Sequence, residues 1–282
     1  MNYRHAFHAG NFADVVKHAA LVRILVYLRE KPAPFRVIDI HAGAARYDLT
    51  GEEASRTGEW REGIARLLDA GLDREVERLL APYLEVVAKL NTGKQLRVYP
   101  GSPEVVRAHL RAQDRLVACE LEPNAARALA RNLAGDARVK AVAIDGWTAL
   151  TAYVPPKERR GVVLIDPAFE QPDEFSRLAA GFAAAHRKWP SGTYLLWYPI
   201  KQRRDSEGFA RRLTGLGIAK MLRAELTIGV PRPAERLSGC GLIVANPPWT
   251  LEGDLAVILP QLAALFARGR HTARVDWLAG EK

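Results

Sequence analysis

The sequence predicts an α/β fold, a seven-stranded doubly wound sheet that carries a helical insertion. Short β-branched apolar runs alternate with segments of helical periodicity along the 282 residues, a pattern typical of sheets built from strand–helix units. Hydrophobic residues make up 48% and charged residues 26% of the chain, and these globular proportions exclude disordered and low-complexity classes. The length fits one large domain or two modest ones.

Helices and strands are predicted in alternation. The first helix covers residues 11–30 and begins at Asn11, whose side chain suits the N-cap position. A turn region, Ser-Gly-Cys-Gly, precedes the last strand, so the last two strands are expected to pair antiparallel. The predicted strands are 35–40, 116–120, 139–144, 161–165, 193–198, 220–228 and 241–245. Further helices are predicted at 102–113, with Ser102 as N-cap, and at 124–133, 174–187, 206–216 and 255–267.

The segment after the first strand predicts an insertion. Residues 51–90 have the pattern of two or three amphipathic helices with no strand between them. Gly43 and Glu120 lie 77 residues apart, whereas an uninterrupted nucleotide-binding unit needs about 20. We therefore expect residues 1–45 and 100–282 to form the core and residues 46–99 to form an inserted helical subdomain.

Composition limits the compartment and the partners. The two cysteines, Cys119 and Cys240, form no C-x-x-C pair, so neither a disulfide framework nor a cysteine zinc site is expected. The chain has no apolar run of membrane-spanning length, and its first residues are too polar for a signal peptide. A cytoplasmic protein and a monomer are expected. The net charge of +9 favours a polyanionic partner such as nucleic acid.

Acidic residues stand at the ends of four predicted strands. Asp39, Glu120, Asp145 and Asp166 close strands one to four, and ligands of open α/β sheets bind outside the carboxyl ends of the strands. One acid in such a place is an ordinary turn residue. Four in succession, spaced by about one strand–helix unit after Glu120, indicate a ligand site.

The ligand predicted from these residues contains adenosine but no pyrophosphate. The turn after the first strand is H-A-G-A-A, so the dinucleotide fingerprint G-x-G-x-x-G is missing, as is a phosphate-binding P-loop. S-adenosylmethionine fits this pattern. Glu120 is expected to accept the ribose hydroxyls, and Asp145, beside Gly146, the adenine amine. The helix that starts at Ser102 offers N–H groups to the methionine carboxylate.

The reactive motif is predicted to be Asp166-Pro167-Ala168-Phe169. Methylation of an exocyclic adenine amine requires acceptors that draw the nitrogen towards a tetrahedral state. A carboxylate and a backbone carbonyl stiffened by proline supply them, and an aromatic ring three residues later can stack on the base. Asp166 is therefore expected to accept the amine proton and Phe169 to stack on the flipped base.

Two other motifs are assigned no chemistry. Asn246-Pro247-Pro248-Trp249 also matches an adenine-amine motif, but it follows the seventh strand, and we expect a rigid turn with a packed Trp249. The histidines nearest the N-terminus and the first turn have no metal-ligand spacing, so no metal site is expected. These histidines are His5, His8, His18 and His41.

Longer motifs connect the chain with a known family. They are YRHAFHAGNFADVVKH (3–18), DIHAGAARY (39–47), RTGEW (56–60), YPGSP (99–103), ELEP (120–123), IDG (144–146), LIDP (164–167), LWYP (196–199) and NPPW (246–249). With these motifs the whole chain resembles the RlmJ family of bacterial 23S ribosomal RNA adenine-N6 methyltransferases. The resemblance implies a class I, Rossmann-like methyltransferase fold, S-adenosylmethionine as cofactor, and protein-free or partly assembled 23S rRNA as substrate.

The resemblance also implies roles for individual residues. The family's catalytic acid falls on Asp166 and its substrate-contacting tyrosine on Tyr3. Cofactor contacts fall on His18, His41, Ser102, Glu120, Asp145, Gly146 and Asp166, with Lys17 as a neighbour of this set. Pro167 and Phe169 belong to the substrate site. One departure is present: the family's D-P-P-Y is D-P-A-F here, so Phe169 keeps the stacking ring without a hydroxyl.

Two alternatives to an RNA adenine-N6 methyltransferase remain open. One is a DNA adenine-N6 methyltransferase, although no separate DNA-recognition domain is visible. The other is a non-catalytic RNA-binding protein with a methyltransferase fold, for which the Ala168 and Phe169 departures are the only support. Candidate RNA contacts are the basic clusters Lys157/Arg159/Arg160, Lys201/Arg203/Arg204 and Arg211/Arg212.

Overall fold

The computed structural model describes residues 5–93, 95–230 and 237–280. The strands are β1 (Arg36–Asp39), β2 (Arg46–Asp48), β3 (Val98–Pro100), β4 (Arg115–Glu120), β5 (Val139–Ala143), β6 (Gly161–Ile165), β7 (Thr193–Pro199), β8 (Met221–Thr227), β9 (Gly239–Ala245) and β10 (Thr272–Ala279). The helices are α1 (Phe12–Glu30), α2 (Glu52–Thr57), α3 (Arg66–Leu68), α4 (Arg74–Leu90), α5 (Ser102–His109), α6 (Pro123–Asn132), α7 (Gly146–Tyr153), α8 (Glu174–Lys188), α9 (Arg203–Thr214) and α10 (Leu251–Leu265). A 3-10 turn (His5–Phe7) and a π-helical turn (Arg61–Ala65) complete them.

Eight strands form one central sheet in the order β10-β8-β9-β7-β6-β1-β4-β5. Five neighbouring strands of this sheet run parallel: β7, β6, β1, β4 and β5. β9 lies between β7 and β8 and runs antiparallel to both. This is the Rossmann-like arrangement of class I methyltransferases, and the expected fold class is confirmed. The chain leaves β1 for β4 on one side and reaches β6 on the other, so the topological switch point lies between β1 and β6.

The sheet has one strand more than the seven predicted. The additional strand, β10, pairs antiparallel with β8 along the edge. Ala273, Val275 and Trp277 alternate with Arg274 and Asp276, a period-two pattern that could have predicted this strand. The two charged residues are partnered in the fold. Arg223 donates to Asp276 at 2.7 Å, and Arg274 donates to Glu207 at 3.1 Å.

The other predicted strands and helices are present in the structure, with ends that differ from the predicted ones by up to four residues. The antiparallel pair β8–β9 and the Asn11 cap are confirmed, and Asn11 Oδ1 accepts the N–H groups of Ala13 and Asp14 at 3.0 Å. Helix α7 and the short strands β2 and β3 were not predicted. The N-cap of α5 is Gly101 rather than Ser102, because the Ser102 hydroxyl is bonded elsewhere.

The segment predicted as an insertion begins at β2 and ends at β3, which pair with each other. Apolar residues of α4 recur at helical spacing, and its buried side chains join the same hydrophobic cluster as α1 and α10. Tyr83 of α4 bonds Tyr99 of β3 at 2.8 Å between their hydroxyls. The division into a core and a separate subdomain stays a prediction.

Helix α1 carries the N-terminal motif into the core. It is apolar on nearly all sides, and only a few positions near its end are exposed, as expected for a helix enclosed by other elements. It packs on α4, α5 and α10. No helix in the described parts of the chain is long and apolar enough to cross a membrane.

Candidate active site

A cavity of about 1160 Å³ lies along the carboxyl ends of the parallel strands. It is the place where the topology predicts a ligand site. The structure brings eight of the predicted site residues to its wall. They are His41, Ser102, Glu120, Asp145, Gly146, Asp166, Pro167 and Phe169.

Glu120 ends β4 and holds the turn that follows β1. Its Oε2 accepts the N–H of Gly43 at 2.8 Å, and its Oε1 accepts the N–H of Glu122 at 2.8 Å. Gly43 has φ +62°, and a Cβ there would lie 2.0 Å from the Tyr47 hydroxyl, so this turn requires glycine. Each carboxylate oxygen keeps a lone pair with which it can accept a ligand hydroxyl.

Asp145 follows β5 and is the N-cap of α7. Its Oδ2 accepts the N–H of Thr148 at 2.8 Å, whereas none of the described residues donates to Oδ1. A Cβ on Gly146 would lie 2.4 Å from the Ile40 carbonyl and 2.7 Å from the His41 ring. The cap therefore accounts for one oxygen of Asp145 and leaves the other available to a ligand.

Asp166, at the end of β6, is bonded to a lysine of α1. Lys17 Nζ lies 2.5 Å from Asp166 Oδ2 and 2.8 Å from Asp14 Oδ1. Asp14 Oδ2 also accepts the ring N–H of His5 and the Gly10 N–H, each at 3.0 Å. Burial lowers the pKa of Lys17, but the two carboxylates outweigh it and raise that pKa well above its usual range. The chain of contacts fixes one Asp166 oxygen, and none of the described residues bonds the other.

The fourth of the strand-end carboxyls, Asp39 at the end of β1, is fully buried. The Ser102 hydroxyl donates to Asp39 Oδ2 at 2.6 Å, and the His41 N–H lies 3.3 Å from Oδ1. Burial is the largest influence on Asp39 and raises its pKa to about 7. Ser102 therefore faces the cavity with its hydroxyl proton already donated.

Phe169 adopts φ +52° in the loop after β6, a region that L-residues with large side chains seldom occupy. Its ring packs edge-on against Phe175, with centroids 4.9 Å apart, and against Trp197, at 5.9 Å. Pro167 is buried, whereas Phe169 is half-buried. The two neighbouring rings hold the Phe169 ring at the cavity wall.

Two predicted site residues are not among those brought together. His18 is fully buried in α1 and does not line the cavity. Its Nδ1 bonds the Tyr99 hydroxyl at 2.8 Å, and burial lowers its pKa to about 3. Tyr3 lies outside the described residues. His41 lines the cavity with its ring against Trp147, and burial lowers its pKa to about 4.

The second adenine-amine motif lies at the opposite edge of the sheet. Asn246 follows β9, which ends beside the start of β7. Its Nδ2 donates to the carbonyls of Pro190 at 2.7 Å and Gly192 at 2.8 Å. The expectation of a packed tryptophan was wrong, because Trp249 is 80% exposed. The turn points this side chain away from the core.

The basic clusters differ in what they contact. Arg160 donates to the carbonyls of Ala33 and Leu28 and therefore serves the fold. Arg212 donates to the Ser176 hydroxyl. Lys201 lines the cavity.

Sequence reasoning named Lys17 only as a neighbour and gave Asp39 no partner. The i,i+3 spacing of Asp14 and Lys17 on α1 was a usable signal for an ion pair. The contact between Lys17 and Asp166, 149 residues apart, had no local signal.

Comparisons with known proteins show to which family the chain belongs. The profile of a family described as "Ribosomal RNA large subunit methyltransferase D, RlmJ" matches residues 32–279. A protein named "Ribosomal RNA large subunit methyltransferase J" from Escherichia coli K12 is 39% identical over 282 residues, covering 100% of both chains. Its namesake from Haemophilus influenzae is 38% identical over 283 residues, with the same coverage.

A solved structure is also similar. The crystal structure of protein LPL1258 from Legionella pneumophila has a TM-score of 0.86 and 33% sequence identity. The match covers 96% of this chain and 98% of that chain. From the family profile and the full-length relatives, this chain belongs to the RlmJ family of ribosomal RNA large subunit methyltransferases.

Proposed function

We propose that this protein transfers a methyl group from S-adenosylmethionine to the N6 amine of an adenine in 23S ribosomal RNA. The names of the two full-length relatives support a large-subunit rRNA substrate. The observation that carries the proposal is the Asp166 carboxyl: one oxygen is held by Lys17, the other is unbonded among the described residues, and both lie in a cavity shared with Phe169, Glu120 and Asp145.

The residues of the cavity fit S-adenosylmethionine. Glu120 and the unbonded oxygen of Asp145 are acceptors suited to ribose hydroxyls and an adenine amine. Leu121, 50% exposed on the cavity wall, supplies apolar surface for a purine. The N-terminus of α5 at Ser102 supplies N–H groups for a carboxylate. When bound, S-adenosylmethionine supplies an electrophilic methyl group on its sulfonium.

The chain's own residues prepare the amine. Lys17 fixes Asp166 Oδ2, so that Oδ1 is aimed at one N6 hydrogen while the Pro167 carbonyl accepts the other. These two acceptors draw the nitrogen lone pair out of conjugation and towards the methyl group. Phe169 stacks on the flipped base and fixes its plane, which is an orientation effect. As the bond between N6 and the methyl carbon forms and the sulfur–methyl bond breaks, with S-adenosylhomocysteine as the leaving product, the N6 proton moves to Asp166 Oδ1 and then to solvent.

The proposal is tested with Asp166→Ala and Asp166→Asn. Both variants remove the proton acceptor, so methyl incorporation into an in vitro 23S rRNA transcript should fall by about 10²–10⁴-fold. Calorimetric titration with S-adenosylmethionine should still give binding. Asp173→Asn, which neutralises an exposed acid seven residues further on, is the matched control and should methylate at the wild-type rate.

The substrate is tested in the same assay. Mass mapping should place the methyl group on adenine N6 in protein-free transcript, and duplex DNA should receive none. Methylation of DNA instead of the transcript would contradict the RNA substrate. Full activity in Asp166→Asn would contradict the role of Asp166, and a protein that binds RNA but not S-adenosylmethionine would be the non-catalytic alternative.

A further inference from the structure

The carboxyl end of β7 borders the cavity on the side of Phe169. Trp197 and Pro199 line the wall, and Lys201 follows at the rim. In the described parts of the chain, four cationic side chains of lysine or arginine line the cavity. They are Lys17, Arg46, Arg177 and Lys201.

Lys201 differs from the other three cations. Each of the others has a carboxylate oxygen within 3.4 Å. Lys201 is exposed and makes no hydrogen bond or ion pair with any residue in 5–93, 95–230 or 237–280. It is therefore the one cation of the described wall whose charge is not neutralised by a neighbour.

This charge matters because the cavity wall is otherwise acidic. Eleven carboxylates of the described residues line the wall, and they repel an approaching polyanion. His8 lines the same cavity; its hydrogen bond to Glu59 raises the pKa of His8, and the Lys201 charge lowers it. The Glu59 carboxylate is occupied by that histidine and by Asn11, each at 3.0 Å. A phosphate is thus attracted most strongly to the β7 side.

The same strand end holds the ring on which a base can stack. Phe169 occupies φ +52°. This backbone conformation costs on the order of 1 kcal/mol, and it persists only where neighbouring residues hold it. Trp197 of β7 packs against one side of the ring, and Phe175 of α8 packs at 4.9 Å. Trp197 is therefore placed to keep the Phe169 ring ready for the base.

We propose that the carboxyl end of β7 forms the subsite for the target nucleotide of the RNA. Lys201 pairs with a backbone phosphate next to the target adenosine, and Trp197 is a positioning residue for Phe169. The inference rests on the proposed function, to which it adds the residues that receive the nucleotide. The inference assigns a phosphate contact to Lys201 alone among the lysines and arginines that line the cavity, because the other three are paired with carboxylates.

The phosphate contact is tested with Lys201→Ala. Binding to the 23S rRNA transcript is measured by fluorescence anisotropy between about 50 and 200 mM KCl. In this range the dependence of Kd on salt reports the number of phosphate contacts. The Kd should rise several-fold, and the slope of log Kd against log salt should fall by about 0.7–0.9. Lys31→Ala removes the same charge from an exposed site between α1 and β1, where the first strand starts at the edge away from the cavity, and should leave both values unchanged.

Two outcomes overturn the phosphate contact. An unchanged RNA slope in Lys201→Ala would mean that the cation is only solvated. A raised Kd for S-adenosylmethionine with an unchanged RNA slope would assign Lys201 to the cofactor carboxylate. Methylation by the wild-type protein is measured alongside, so a failure of the subsite is distinguishable from a failure of the proposed function.

The positioning role is tested with Trp197→Leu and Trp197→Phe. The transcript carries 2-aminopurine at the adenine that mass mapping identifies, because its fluorescence changes when the base is flipped and stacked. Trp197→Leu should lose that change. It should also lower kcat on the unmodified transcript, which is used for the rate because 2-aminopurine has no N6 amine to methylate. Trp197→Phe should restore both, since it retains a ring. S-adenosylmethionine titration confirms that each variant is folded. An unchanged fluorescence signal in folded Trp197→Leu would contradict the role.

Discussion

Two turns at opposite edges of the sheet have similar sequences, an Asp or Asn followed by proline, but different surroundings. Asp166-Pro167 follows the parallel strand β6 and reaches the cavity with one carboxylate oxygen unbonded among the described residues. Asn246-Pro247 follows β9, and both N–H groups of its amide are bonded to backbone carbonyls. The first turn can therefore offer a hydrogen-bond acceptor to a ligand, whereas the amide N–H groups of the second are already used in hydrogen bonds within the protein.

Strand direction makes this difference. β6 runs parallel to β1 and β7, so its end lies at the carboxyl edge, where α/β sheets bind ligands. β9 runs antiparallel to β7 and ends beside Tyr194, near the start of that strand. Whether such a short motif can bind a ligand therefore depends on the edge of the sheet at which its strand ends.

The largest expected difference between the two turns comes from exchanging their polar groups. Asn246→Asp places a carboxylate oxygen against the carbonyls of Pro190 and Gly192, so the protein should lose about 1–3 kcal/mol of unfolding free energy. Methylation measured well below Tm should stay close to the wild-type rate, in contrast to Asp166→Asn. Chemical denaturation and the transcript assay measure the two effects. A methylation defect in folded Asn246→Asp would show that the turn after β9 takes part in the reaction, and would contradict the assignment of the reaction to the carboxyl ends of the parallel strands.

At the carboxyl edge, the buried Asp39 should make the unfolding free energy depend on pH. Burial raises the pKa of Asp39 to about 7, above an unfolded value of about 3.9. The stability that this group contributes is present below about pH 4 and is lost as the pH rises towards 7. Asp39→Asn, which stays neutral, should therefore gain stability relative to wild type as the pH rises from about 4 to about 7, by up to about 1.4 kcal/mol per pH unit, and the gain should level off above pH 7.

Calorimetric Tm values of both proteins across this range give the comparison. Asp173→Asn alters an exposed acid and serves as the control, with a difference from wild type that stays constant with pH. A constant difference for Asp39→Asn as well would contradict the raised pKa.

The smallest effect is expected at Trp249. Its side chain is 80% exposed, so Trp249→Ala should change the unfolding free energy by no more than about 0.5 kcal/mol. Methylation of the transcript should be unaffected because the turn lies at the edge away from the cavity. A large loss of transcript binding in this variant would show that the opposite edge contacts the RNA.

Local patterns predicted much of the fold because its strands are short and rich in β-branched residues. The acids at the ends of β4, β5 and β6 could be placed together from spacing alone, since parallel strands end at one edge. β10 was missed although Ala273, Val275 and Trp277 alternate with Arg274 and Asp276, which is a period-two strand signal. What the sequence could not show is the pairing of these two charged residues with Glu207 and Arg223, which are distant in sequence.

The candidate site shows the same limit. Glu120, Asp145 and Asp166 line the cavity as expected. The bond from Lys17 to Asp166 and the buried pair of Ser102 with Asp39 depend on how α1 and α5 pack on the sheet. Such contacts are products of tertiary packing, and a strand-by-strand interpretation of the sequence contains no information about them.

The most direct measurement is a crystal structure of this protein with adenosine and a non-reactive analogue of S-adenosylmethionine. We expect Asp166 Oδ1 to lie within hydrogen-bond distance, about 2.7–3.2 Å, of the adenosine N6, with the sulfonium position of the analogue facing that nitrogen. An Asp166 carboxyl turned away from the amine, with the adenosine bound elsewhere in the cavity, would contradict it.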